Sequence, residues 1–208
     1  MNIRKPKDSC AALAASMGPL VLATMCSLTL GCTNAMAPVG DEPYVFTAAD
    51  VAEFWSCGMG EDVFTYRVVA GKPAEGNLVI RPSGEEGNAL EVTFSRLPGT
   101  VRKNEQDWGY GAASARELVA DGSEAPAYAI GIFYRAKSGM AFFDWDGGRL
   151  HDAIDVGAVA AERDRNGRLR IDTRDPGTRE YLAEHWRDLL DLDSGTLLCV
   201  PGQLPTGQ

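Results

Sequence analysis

Ala127-Tyr128-Ala129-Ile130-Gly131-Ile132-Phe133-Tyr134-Arg135 is followed, after Lys137-Ser138-Gly139, by Met140-Ala141-Phe142-Phe143-Asp144-Trp145, and this stretch decides the fold. Both runs are rich in aromatic and β-branched residues, and the short glycine-containing connector marks a β-hairpin. Tyr128, Ile130, Ile132 and Tyr134 share one face at a period of two, while Phe133 falls on the other. A strand that is apolar on both faces belongs in the middle of a sheet.

Working outward, further strand patterns cover Val63–Val69, Asn77–Arg81 and Ala89–Leu97. In the last of these Leu90, Val92 and Phe94 alternate with Glu91, Thr93 and Ser95, and Gly, Pro and Ser mark the turns between runs. Downstream, Asn166-Gly167 predicts a hairpin between Val156–Arg163 and Arg168–Thr173, and Thr196–Val200 reads as a closing strand. Two helices frame the strands. Thr47 caps a first helix reaching toward Gly58, with Asp50 in its first turn and Phe46 and Val51 at staple spacing. Asp175-Pro176 opens a last helix whose apolar stripe is Leu182, Trp186, Leu189 and Leu190. A short helix is also expected over Ala112–Ala120. The aromatic and glycine cluster Trp108-Gly109-Tyr110-Gly111 reads either as a ligand-binding loop or as a loop with its rings tucked into the core. The fold class expected is α+β: an antiparallel sheet of about seven or eight strands with an N-terminal and a C-terminal helix packed on it.

The amino-terminal part has a different character. Arg4, Lys5 and Lys7 precede a segment without charge from Ser9 to Gly40, and Ala11–Gly31 is nearly all apolar or small. That is the layout of a secretory leader, and its length would also span a bilayer. It ends in Leu28-Thr29-Leu30-Gly31-Cys32, which resembles the lipobox of bacterial lipoproteins, with Thr29 where Leu is usual. The resemblance implies cleavage before Cys32, acylation of its thiol, and attachment to a membrane of the bacterial cell envelope. Thr33 in place of the retaining Asp points to the outer membrane, facing the periplasm. An A-x-A site at Ala35-Met36-Ala37 and an uncleaved anchor are the competing readings.

On the lipoprotein reading the domains are a signal peptide (1–31), a lipidated Cys with a flexible tether (32–43), a single globular domain (44–200) and a loose tail (201–208). Cys10 and Cys26 leave with the leader, and Cys57 and Cys199 remain in an oxidising compartment, where a disulfide between them is expected. Such a bridge would contribute about 2–4 kcal/mol. Two buried free thiols are the alternative. The leader holds three of the 20 basic residues and one of the 29 acidic ones, so the remaining chain has 17 against 28 and a net charge of −11. That surface repels nucleic-acid phosphate and anionic headgroups, so membrane attachment is expected through acyl chains alone.

Candidate chemistry is sparse. His151 follows Asp144-Trp145-Asp146-Gly147-Gly148 and precedes Asp152 and Asp155. A histidine among carboxylates can act as a general base, and Asp144 with Asp146 on one side of a strand could perch a cation. The same residues also suit a solvated turn. His185 packs on the last helix. No serine-hydrolase elbow, P-loop, dinucleotide fingerprint or zinc-protease motif occurs, and neither cofactor nor metal is expected.

Two functional readings follow: a non-enzymatic, lipid-anchored envelope protein that binds, inhibits or confers immunity against another envelope protein, or a ligand carrier. The order of helix, strand meander, late helix and closing strand is similar to lipocalins, although no G-x-W precedes the first strand. That resemblance implies a closed barrel with an apolar cavity. A hydrolase using His151 with the Asp cluster is a third reading, and it requires those side chains to converge in a cleft.

Overall fold

The computed structural model describes residues 33–47, 51–59, 62–83, 88–118, 127–164, 169–192 and 196–202. Strands make up 54% of these, and the fold is a closed eight-stranded antiparallel β-barrel with two short helices. The wall is formed by β2 (Phe54–Met59), β3 (Asp62–Lys72), β4 (Asn77–Pro82), β5 (Ala89–Arg96), β7 (Gln106–Leu118), β8 (Tyr128–Ala136), β9 (Gly139–Trp145) and β13 (Leu197–Pro201). The first seven run up and down in sequence order, and β13 returns between β9 and β2 to close the ring. The short β6 (Val101–Lys103) makes a side hairpin with β7.

The expected α+β sheet with helices packed on it is therefore incorrect. Each wall strand carries apolar side chains at a period of two, and a twisted sheet with one apolar face can bury that face by curling onto itself instead of onto a helix. Closure also removes the edge strands that an open sheet would expose. The expected N-terminal helix fails for the same reason. Phe54–Met59 is β2, with β3 on one side and β13 on the other, and pairing on both sides outweighs the local capping signal. Residues 48–50 lie outside the described part. Ala112–Leu118, expected as helix, belongs to the 13-residue strand β7, paired along its length with β5 and β8. Its small residues are needed there: a Cβ on Gly111 would meet the Phe133 ring at 2.5 Å.

The central hairpin is β8–β9, with Ala136 opposite Gly139 across the Lys137-Ser138 turn. Its strand β8 is covered on both faces. Ile130 and Ile132 are wholly buried on the outside and Phe133 is wholly buried on the inside. The outside cover consists of α1 (Gly147–Asp155), β10 (Ala161–Arg163), β11 (Leu169–Ile171), α2 (Pro176–His185) and β12 (Leu190–Asp191), all inserted between β9 and β13. Leu150, Ile171, Leu182 and Trp186 join Ile130 and Ile132 in this outer core. Asp175 caps α2 as read from the sequence, accepting from Thr178 N at 2.7 Å. Helix α1 was not anticipated, and the strands expected over Val156–Arg163 and Arg168–Thr173 shorten to β10 and β11. Their expected turn at Asn166-Gly167 lies outside the described residues.

Residues 33–43 are not a loose tether. Asn34–Ala35 forms β1, antiparallel to β8 and parallel to β11, and Ala35 and Val39 are fully buried. Val39 N donates to Ser114 Oγ at 3.0 Å, which lays the segment over the outer face of β7. The expected loose tail begins inside β13, which includes Pro201; residues 203–208 lie outside the described part.

Candidate functional site: the barrel lumen

Alternation along the strands sends Trp55 and Cys57 of β2, Tyr66 and Val68 of β3, and Leu90, Val92 and Phe94 of β5 into the barrel. β7 contributes the small side chains of Ala113 and Ala115. Large side chains facing small ones leave a cavity of about 70 Å³. No charged residue lines it among the described residues, and Tyr66 brings a phenol to its wall. Cys57 and Cys199 stand opposite each other in register across the β2–β13 seam, bonded as a disulfide with the sulfurs 2.09 Å apart. The bridge borders the cavity and ties the first wall strand to the last.

One end of the lumen is plugged by the amino-terminal segment. Pro43 bridges Ser95, Tyr44 N donates to Phe94 O at 2.9 Å, and Phe46 N donates to Pro73 O at 3.1 Å. Gly76, at φ +68°, closes the 3-10 turn Pro73–Glu75 against this segment, and a Cβ there would strike the Phe94 carbonyl oxygen. The rings of Tyr44, Phe46, Phe94 and Phe133 pack at centroid separations of 4.8–5.1 Å, mostly edge to face.

Asp107 latches the plug. Fully buried, it accepts from Val45 N at 2.8 Å, and its own N–H donates to Val45 O at 2.9 Å. Arg102 binds the same carboxylate through two N–H groups at 2.9 Å. Burial pushes the Asp107 carboxyl up, but the Arg102 hydrogen bonds, the Val45 N–H and the charges of Arg102 and Arg96 outweigh it and hold the group below the ordinary carboxylate range. Burial drives the Tyr44 phenol far upward, with the Arg135 charge pulling the other way. Arg135 is 6% exposed and lies between the rings of Phe46 and Trp108, 4.9 and 4.4 Å from their centroids. Its Nη1 donates to Asp107 O at 3.0 Å and its Nη2 to Gln106 Oε1 at 2.7 Å. Beside the plug lies a second cavity of about 60 Å³, whose wall includes Arg135, Lys137 and Trp108.

The residues singled out in the sequence lie elsewhere. His151 and Asp152 are exposed on α1, and the nearest carboxylate to His151 is Asp155, at 3.9 Å one turn away. Asp144 and Asp146 do not share one side of a strand. Asp144 is in β9, whereas Asp146 is the N-cap of α1 and accepts from Gly148 N at 2.9 Å and Arg149 N at 3.1 Å. The four do not converge on either cavity, which removes the motive for the hydrolase reading. His185 stacks on Tyr181 at 4.4 Å. Trp108 and Tyr110 are strand residues; Tyr110 packs on Trp186 at 4.6 Å in the outer core. Among the described residues no group of His, Cys, Asp and Glu is placed to hold a metal, and no helix is long and apolar enough to cross a membrane. Cys32 lies outside the described part.

The closed barrel is consistent with the expectation drawn from the lipocalin-like order of elements; the residues that line its lumen are not among the sequence candidates, although their signal is present. Apolar residues at a period of two recur in successive strands, and the Ala and Gly of β7 alternate with them around the ring. No family model, no curated protein and no solved structure matches this chain.

Proposed function

We propose that this protein carries an apolar ligand in its barrel, held at a membrane of the bacterial cell envelope by acyl chains on Cys32. The observation behind the carrier role is the uncharged cavity inside a closed wall, since concave, apolar sites with few polar groups are where small ligands bind. The lipobox-like leader supports the anchor, and the net charge of −11 beyond it leaves acyl chains as the means of attachment. With Thr33 O accepting from Ile130 N at 3.1 Å, an acylated Cys32 would hold the barrel against the bilayer without a spacer.

Titration of an environment-sensitive apolar fluorophore tests the carrier role. Saturable binding that the cavity-filling Ala115→Leu weakens strongly, with cooperative thermal unfolding retained, is expected; no saturable binding to the native protein overturns it. Intact mass of the membrane-extracted protein tests the anchor: loss of residues 1–31 with added acyl mass supports it, and an unprocessed chain sinks it.

A second reading is a non-enzymatic protein that docks an envelope partner. It is favoured by the uncovered outer wall, where Tyr134, Ala141, Leu198, Gly58 and Val63 lie in one row across five strands. Leu198 is 57% and Val63 70% exposed there.

A further inference from the structure

We infer that the two cavities together form one site for an amphiphile with a single slender hydrocarbon chain and an anionic head. This rests on the carrier reading and specifies its ligand. The cavities adjoin: Trp55, Leu78 and Met140 belong to the walls of both. Their chemistry is opposite. Among the described residues the lumen cavity has no charged residue in its wall, whereas the charged residues in the wall of the second are Arg135 and Lys137, both cationic. In a chain with 29 acidic and 20 basic residues, a cavity whose described wall holds two cations and no carboxylate is matched to a negative group.

Size sets the chain. At about 70 Å³ the lumen holds on the order of five water-sized spheres, each needing ~10–15 Å³. That is far below the ~300–1,000 Å³ of sites for bulky, drug-sized ligands. Its wall is built from Leu90, Val92 and Phe94 of β5 with Leu78 and Ile80 of β4, all apolar. So small an apolar space suits one short unbranched chain and excludes fused rings. The head then sits beside Lys137 and the Arg135 guanidinium, which Phe46, Trp108, Gln106 and the Asp107 carbonyl hold in place. Carboxylate and phosphate heads share this chemistry.

Calorimetric titration of the folded protein with hexanoate, hexyl phosphate, hexanol and hexylammonium tests the assignment. Both anions are expected to bind at least about tenfold tighter than hexanol, with hexylammonium weakest, and added salt should narrow the gap. The tighter of the two anions identifies the headgroup source. Lys137→Glu, at an exposed turn, should reduce the preference for the anions over hexanol several-fold. Equal affinity for hexanol and the anions, or tight binding of a fused-ring probe, overturns the inference while the carrier role stands. Failure of every chain and every apolar fluorophore to bind overturns the carrier role itself.

Discussion

The two faces of β8 look onto two different apolar regions. Outside, Ile130 and Ile132 meet Leu182, Trp186 and Leu150 from the inserted helices, β-branched and large side chains on both sides of the contact. Inside, the same strand contributes Ala129 and Phe133 to a space walled by large residues on β3 and β5 and by alanines on β7, and there a cavity remains. Both regions are lined by apolar side chains. The difference is the size of the facing side chains. Close-packed interiors leave few voids larger than water, so a persistent apolar cavity marks a place where packing was not carried to completion. The outer core stabilises the barrel, and the inner one leaves room for a guest.

The largest expected effect comes at the plugged end of the lumen. Asp107→Ala would leave the Val45 N–H without its acceptor and release the half-exposed Arg102 to solvent, and a loss of about 3 kcal/mol is expected in urea unfolding. Since the folded-state carboxyl sits below its ordinary range, the Asp107 contribution is complete above about pH 4 and disappears as pH falls through the lowered value. An Asp107→Asn protein whose acid-unfolding curve matches the wild type below neutral pH would contradict this.

A paired truncation addresses the comparison directly. Ile132→Ala in the outer core should cost about 3 kcal/mol, whereas Ile80→Ala, beside the existing cavity, should cost roughly half that. Equal losses would show that the two regions are packed alike. Next in size is the seam. Thiol counting on the unfolded, non-reduced protein should find no free thiol at Cys57 and Cys199, and Cys199→Ser should lower stability by about 2–4 kcal/mol. The smallest effect belongs to α1: His151→Ala should change stability by less than about 0.5 kcal/mol, because the side chain is exposed and its partner Asp155 is solvated.

Local features were legible. The β8–β9 hairpin, its burial on both faces, the Leu90/Val92/Phe94 alternation and the Asp175-Pro176 start of α2 depend on neighbouring residues and are written at short range. The errors cluster where a local signal opposed a distant one. Thr47 and Asp50 resemble a helix cap, yet Phe54–Met59 is a strand because β13, more than 130 positions later, supplies its second neighbour. Ala112-Ala113-Ser114-Ala115 suits a helix by propensity, and it is a strand because β5 and β8 pair with it on both sides. The His151 cluster looked like chemistry because its residues are adjacent in sequence; Asp144 stays in β9, and the helix capped by Asp146 carries His151 and Asp152 to exposed positions away from either cavity.

From sequence alone came strand periodicity, the positions of most turns, the acidic charge and the lipobox-like leader. These follow from residue type and spacing, which act over a few positions. Closure of the sheet into a barrel, the covering of β8 by an inserted layer, the plug of Tyr44 and Phe46, and the cavity between Ala115 and Phe94 were decided only by the tertiary structure. Each depends on which distant strands become neighbours, and on the difference in volume between side chains that no local pattern brings together.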